Sequence, residues 1–561
     1  MTSLSKARKQ FDMALRYGTL TASALLVACG GGDGGGPIDA NPPAAPAGPA
    51  APSVPSIPAV PAVPVAVGRV AGQVTHAITG AGLPNITVRA GAQTATTAAD
   101  GSYVLPAVVA GNPIAFAFTG SGFAAQSRLV EPVAGADISQ VVNVPMLPVA
   151  VVDTFDPAVA RTTVVPNSTA QVQLPANALR TASGAMPVGA VTARLTPVSP
   201  NSNPALMPGN YLASTAGGNA PIESFGALHV TYTDATGAPL NLAAGTTAVL
   251  RIPVSAKPDG PAPATVPLFY FDAATGLWKQ EQSATLAGVA PNQYYQGSVP
   301  HFSYWNADLI YQTVAITGCV QNAAGERLNN VNIGTEGVSY TGRAFARSNS
   351  AGNFTIAAKS SSRLILGAER SGFVSNQRLV VSTAGDVTIP ECLVLGQPLV
   401  TGQPAAGSSL SVRLSWGGAP RDLDSHTKGP NASNEIYFGG RGSLTLNPFV
   451  ALDVDNTSGF GPEFITFAKL AKNRQYSYFV NNYSGSYSPG QTGSPAQVQL
   501  VNNGIQTIYT PPAGETNSTP YWHVFNVTTD ANCVPTIVPV QRFMATSPPN
   551  LNTDNNAQFC N

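Results

Sequence analysis

At 561 residues the chain is long enough for roughly three to five domains, each closing its own apolar core, which excludes a single small globule. Only 10% of the residues are charged, 28 basic against 28 acidic, so there is no electrostatic footprint for a polyanion and nucleic acid is excluded as a partner. Short apolar runs rich in Val, Ile, Thr and Tyr lie between abundant glycine (55) and proline (49), a pattern that predicts an all-β chain of tandem β-sandwich domains after a signal peptide and a Pro-rich linker.

Lys6, Arg8, Lys9 and Arg16 precede an apolar stretch from Thr19 to Ala28, the basic-then-apolar order of a secretory signal. The stretch is far short of the about 20 residues that a membrane-spanning helix needs. It ends Leu26, Val27, Ala28, Cys29 and is followed by Gly30, which resembles the bacterial lipobox. That resemblance implies cleavage of residues 1–28, lipidation of Cys29 and anchoring in a membrane, the outer one where the host has two, because Gly30 is not the Asp that favours retention in the inner membrane. In the linker, 29–67, prolines 46, 49, 52, 55, 58, 61 and 64 recur at every third position, the period of the polyproline II helix. At about 3.1 Å per residue the 30 residues from Pro37 to Ala66 hold the folded domains up to roughly 90 Å from the lipid.

The first predicted domain, 68–147, reads as strand, turn, strand, turn, strand, with Asp100-Gly101 as a tight turn before Tyr103. Ser121, Gly122, Phe123 and Arg128, Leu129, Val130 recur 250 residues on as Ser371, Gly372, Phe373 and Arg378, Leu379, Val380, so 313–395 is a second copy. Gly72 with Val74 likewise answers to Gly318 with Val320. These residues, with Gly82, Leu83, Pro84, Asn85, Ile86 and Val88, resemble the carboxypeptidase regulatory-like domain, a small sandwich of carbohydrate-binding-like fold that is accessory and not catalytic. None of His76, His229, His301, His426 or His523 has Glu or His three residues on, which excludes the zinc-peptidase spacings.

Between the copies, 148–312 carries Leu174-Pro175-Ala176-Asn177, alternating Val191, Ala193 and Leu195, and a closing His301 to Asn306 segment. It resembles the extracellular β-sandwich of cartilage intermediate layer protein, which implies a binding or structural role. His301 beside Trp305 reads as a hydrogen-bonded core histidine in an aromatic cluster. Four cysteines remain after Cys29, an even number in an exported chain. The pairing expected is Cys319 with Cys392, tying the first strand of the second copy to its last, and Cys533 with Cys560, fastening the tail.

The last domain, 396–561, holds Trp416, then Arg421-Asp422-Leu423-Asp424-Ser425-His426, then Asp453 and Asp455, then Gly461-Pro462-Glu463. This resembles a family of exported bacterial domains with no assigned activity. Asp422, Asp424 and His426 alternate on one predicted strand, and Asp453 and Asp455 on another, so pairing of the two converges four carboxylates. A divalent cation, calcium first, relieves their repulsion, with Glu463 a further ligand and His426 a second-layer partner bonded to an Asp. The alternative is that these acids cap turns and accept backbone hydrogen bonds, and a third use is Asp424 with Glu463 as a hydrolytic pair. The whole chain reads as a non-catalytic, surface-displayed lipoprotein that binds carbohydrate or a protein, or else as a structural scaffold of the envelope.

Overall fold

The computed structural model describes residues 66–560, apart from 202, 258–261, 323, 396–409 and 503–504. Cys29, the signal and most of the linker lie outside the described residues. The described residues form one unit, almost entirely of β-strands, arranged as the tandem β-sandwiches that the composition predicts. Among the described residues no helix is long and apolar enough to cross a membrane.

The first copy shows how local pattern becomes architecture. Strand Ser102–Val109 alternates exposed and buried positions, which sends Tyr103 and Leu105 inward. It pairs antiparallel with Val67–His76, whose other edge takes Gly135–Val141 and Val144–Met146 in parallel. A second sheet runs Gln93–Thr96, Thr87–Ala90, Ile114–Thr119, Gln126–Val130. Val70, Val74 and Leu105 of one sheet pack on Val88, Phe116 and Phe118 of the other. The copy therefore contains two four-stranded sheets, more than the strand-turn-strand reading expects, because short polar strands such as Gln93–Thr96 carry no apolar signal.

The second copy repeats this topology. Thr313–Asn322 pairs antiparallel with Asn353–Lys359 and parallel with Val387–Thr388 and Leu393–Leu395. Cys319 is bonded to Cys392 across that parallel pairing, and Cys533 to Cys560. Cys560 closes a tail strapped over the last domain, where Asn550 donates to the carbonyls of Asn431 and Asn434 and Arg474 pairs with Asp554 at 2.6 Å.

The middle domain is one hydrogen-bonded sheet of 13 strands folded over two apolar clusters, a larger one that includes Trp305, Leu228 and Tyr295 and a smaller one around Trp278, Phe269 and Tyr211 that takes in Ala124 of the first copy. Its longest strand, Gly218–Thr233, changes register between Ser224 and Ala227, which lets one strand serve two parts of the sheet. Gly226 makes that bulge at φ +122°, and a Cβ there would sit 2.4 Å from the Pro253 carbonyl oxygen. His301 has the expected hydrogen bond and aromatic surroundings, pairing with Glu281 at 2.9 Å and lying 4.7 and 4.9 Å from the Tyr270 and Trp305 ring centroids, but its ring is part-exposed and not in the core, and its backbone oxygen accepts from Trp305 Nε1.

In the last domain, Leu410–Ser415 lies between Glu463–Phe467 and Gln497–Asn502 in one sheet, and Asp424–Lys428 pairs with Gln475–Asn481 in the other. Trp416 and Trp522, both fully buried, fill the space between them. Polar joints link the domains. Tyr304 Oη donates to the Ala125 carbonyl at 2.7 Å, Lys359 pairs with Glu223 at 2.5 Å, and Arg413 pairs with Glu336 at 2.5 Å.

Candidate functional site

Two loops of the last domain build the acidic cluster. Residues 416–423 lead from the first sheet into strand Asp424–Lys428, and residues 455–462 join Val450–Val454 to Glu463–Phe467. The second loop turns at Gly461, whose φ is +64° and whose Cβ would lie 2.8 Å from the Trp416 ring, so the Gly-Pro-Glu turn requires glycine. Asn456 pins the loop internally, donating from Nδ2 to the Gly461 carbonyl at 2.6 Å and accepting from Ser458 N at 3.0 Å.

The cluster consists of Asp424, Asp455 and Glu463, which each offer an oxygen within 4.8 Å of the others. Glu463 is fully buried and uses both oxygens, accepting from Ser425 N of strand Asp424–Lys428 at 2.6 Å and from Asn456 N of the second loop at 3.2 Å. Asp424 is 3% exposed, and its Oδ2 has no hydrogen-bond partner. Asp455 Oδ1 and Asp422 Oδ1 are buried in the same condition. The other oxygen of Asp455 pairs with Arg441 at 2.7 Å, a cation that sequence proximity to the acids does not reveal.

Burial is the main reason Asp424, Asp422 and Glu463 hold protons more tightly than usual. It pushes Asp424 up to about 7, with Asp422 and Asp455 adding repulsion. Burial also raises Asp422, Asp455 adding and Arg421 opposing. Glu463 is driven well above the usual carboxylate range by burial, with the Ser425 amide opposing and Asp424 and Asp455 adding. Such a group either shares protons or is neutralised by a cation.

Two expected members are placed elsewhere. Asp453 faces the second copy and accepts from Thr466 Oγ1 at 2.6 Å and from Gln377 N at 3.0 Å. The register shift between Leu452 and Val454, with the strand ending before Asp455, breaks the alternation that would have kept Asp453 and Asp455 on one face. His426 bonds no Asp. Its Nδ1 meets Glu435 Oε1 at 3.1 Å, and its ring stacks on Phe479 and Tyr437 at 4.8 and 5.3 Å, because the strand register sets it opposite Phe479 and beside Glu435–Ile436.

Next to the cluster lies a feature that the sequence pattern does not pick out. Phe438 (40% exposed) and Tyr483 (58%) meet edge to face with ring centroids 5.2 Å apart, and Tyr437 continues the group at 5.2 Å from Phe438. Phe438 sits in the turn closed between Tyr437 and Gly440, directly before Arg441, which holds Asp455. Ser484, next to Tyr483, donates its N–H to the Asp422 carbonyl at 3.2 Å. The available signal is an aromatic pair set in the glycine-rich turn Tyr437-Phe438-Gly439-Gly440, where no strand face exists to bury the rings. On the other side of the 455–462 loop, Phe460 lines a cleft of about 810 Å³ shared with Ile78, Asn201 and Gln497.

Comparison with known protein families and with curated proteins finds no match for the chain. Among solved structures it is similar to the Bacillus anthracis TIE protein, at 9% identity and a TM-score of 0.13 over 59% of this chain and 51% of that one, so the chain spans about half of its length. It is also similar to a Bacteroides uniformis protein provisionally described as carbohydrate binding, at 11% identity and a TM-score of 0.12 over 43% and 98% of the two chains. A Bacteroides fragilis protein of unknown function, provisionally described as membrane-associated, is similar at 12% identity and a TM-score of 0.14 over 44% and 99%.

Proposed function

We propose that this chain is an envelope lipoprotein, anchored through Cys29, that binds carbohydrate on its last domain and catalyses no reaction on it. The observation that carries the reading is the exposed pair Phe438 and Tyr483. Among the described residues all four tryptophans are buried, and Phe345, Phe438 and Tyr483 are the large aromatics left exposed, two of them in mutual contact. The negative face of an aromatic ring attracts the partly positive C–H groups on the face of a pyranose, and rings held by their neighbours lose little freedom on binding. A non-catalytic role is supported by the burial of Asp424 and Glu463, with both Glu463 oxygens engaged by backbone N–H groups. Export is supported by the two disulfides and by the basic-then-apolar start of the sequence.

A glycan array probed with the lipid-free mature chain tests this. Binding should fall by about tenfold or more in Phe438→Ala and in Tyr483→Ala, with unchanged unfolding midpoints. No glycan bound, or binding that survives both substitutions, overturns it. A second reading, a rigid spacer within the envelope, is favoured by the paired charges at the joints, Lys359 with Glu223 and Arg413 with Glu336. Protease treatment of whole cells separates the two, since a surface binder is shaved and a periplasmic spacer is protected.

A further inference from the structure

The acids of the last domain are gathered at a cost that their own bonds, two N–H groups to Glu463 and Arg441 to Asp455, offset only in part. Asp424, Asp455 and Glu463 lie within 4.8 Å of one another, and Asp424 Oδ2, Asp455 Oδ1 and Asp422 Oδ1 are buried without a hydrogen-bond partner. Unmade hydrogen bonds on buried carboxylates are expensive, and a chain keeps them when something else completes the site. Arg441 satisfies one oxygen of Asp455, and Arg421 turns its Nε to the Thr457 carbonyl. The remaining donor set is carboxylate oxygen alone, His426 having turned away to Glu435. Oxygen ligands from protein carboxylates suit a hard cation of flexible coordination. They suit zinc less, which favours nitrogen and sulfur, and magnesium less, which keeps most of its water.

We propose that Asp424, Asp455 and Glu463, with Asp422 beside them, hold a calcium ion that braces the loops carrying Phe438 and Tyr483. Each member leads to a part of the aromatic surface or its surroundings. Asp455 holds Arg441 at the end of the Phe438 turn, and the Asp422 carbonyl holds the N–H of Ser484 beside Tyr483. Glu463 clamps Ser425 N, in the strand that the 416–423 loop enters, and Asn456 N, so an ion here joins the start of that strand to the 455–462 loop. The ion site stands independently of any ligand of the aromatic pair; the functional meaning of the bracing rests on the carbohydrate reading.

The test uses the mature chain, stripped with EDTA and unfolded thermally with calcium, magnesium or zinc chloride at about 1 mM, a concentration that saturates or half-saturates even weak extracellular calcium modules. Calcium should raise the midpoint by about 3 °C or more. Asp424→Asn should abolish the rise. It leaves the fold intact because the oxygen it replaces makes no hydrogen bond, and Asp455→Asn serves as the second variant. Hydrogen exchange, read with no glycan present, should slow on calcium addition at residues 417–424, 437–441, 455–463 and 482–485. If no ion moves the midpoint and elemental analysis of untreated protein finds no bound metal, the acids share protons and the site is overturned. A rise undiminished in both variants moves the ion elsewhere and overturns it too. A response to zinc alone overturns the calcium assignment. Slowed exchange confined to 417–424 and 455–463 overturns the bracing. Because none of these readouts uses a glycan, failure of the carbohydrate reading is told apart from failure of the ion.

Discussion

The two repeat copies share a topology and differ in how they are held. Arg128 and Arg378 occupy the same place in the repeated motif, yet Arg128 reaches into the middle domain while Arg378 pairs at the surface with Glu391, whose side chain is 77% exposed. Arg128 donates to the carbonyls of Ser127 at 2.7 Å and Met207 at 3.0 Å, and to Ala205 as well, with Gln126 Oε1 completing its partners. Burial, with Arg343 adding, pulls its guanidinium down to about 10, low for an arginine but still charged at neutral pH. The second copy, lacking this anchor, carries Cys319–Cys392 and charge pairs to both neighbours. A repeated motif therefore fixes the fold of each copy and leaves the joint to be chosen by the surroundings.

The sharpest way to break the contrast is to remove the disulfide. The crosslink spans 73 residues, so replacing Cys319 and Cys392 with alanine should destabilise the second copy by about 4 kcal/mol, and calorimetry should show its transition moving down in temperature. A transition that stays in place shows that the parallel pairing needs no crosslink. Next comes the arginine pair. Arg128→Ala orphans several buried carbonyls and should cost about 3 kcal/mol, whereas Arg378→Ala removes an ion pair to an exposed partner and should cost under about 1 kcal/mol, both read from denaturant midpoints. Equal losses at the two positions erase the distinction drawn between them.

The smallest effect is on pH. His229 stacks on Tyr304, the residue that bonds Ala125 across the first joint, with ring centroids 4.0 Å apart. Burial lowers its pKa from 6.5 to about 4, so the neutral ring is favoured in the folded state. Its contribution is whole above pH 6.5 and is lost as the pH falls toward 4. At the second joint burial pushes Glu336 up, but Arg413 and Arg343 outweigh it and hold the carboxyl below 4.5, so that contribution is lost only below that value. Protection factors at 124–127, corrected for the intrinsic pH dependence of exchange, should therefore fall between pH 6.5 and 4.5 while those at 335–337 hold. A simultaneous fall at both joints rules out His229 as the cause.

How much of this could be read from the sequence depended on whether the signal was local. Strand alternation, the Asp100-Gly101 turn and the recurrence of Ser-Gly-Phe with Arg-Leu-Val are local, and they yield the all-β class and the paired copies. The single sheet of the middle domain is not, because it depends on a register change within one long strand. At the acidic cluster the residue types were legible but their directions were not. One shift of register separated Asp453 from Asp455, and cross-strand neighbours took His426 to Glu435. Phe438 and Tyr483 meet only through tertiary folding, and their exposure is a property of the surface that no periodicity records.

The order of strands within each copy has a kinetic consequence. The opening strand, Val67–His76 or Thr313–Asn322, is the central one of its sheet, antiparallel to a near neighbour and parallel to the copy's last strands. Closing that parallel edge joins the two ends of the copy, a contact of high sequence separation that must meet its loop entropy before it gains any pairing. A chain emerging from its N-terminus thus presents a half-paired central strand until the whole copy is out, and an open edge of that kind is a template for pairing with other chains. The second copy carries a covalent clasp across this late-forming edge, and the first closes it by hydrogen bonding and packing alone.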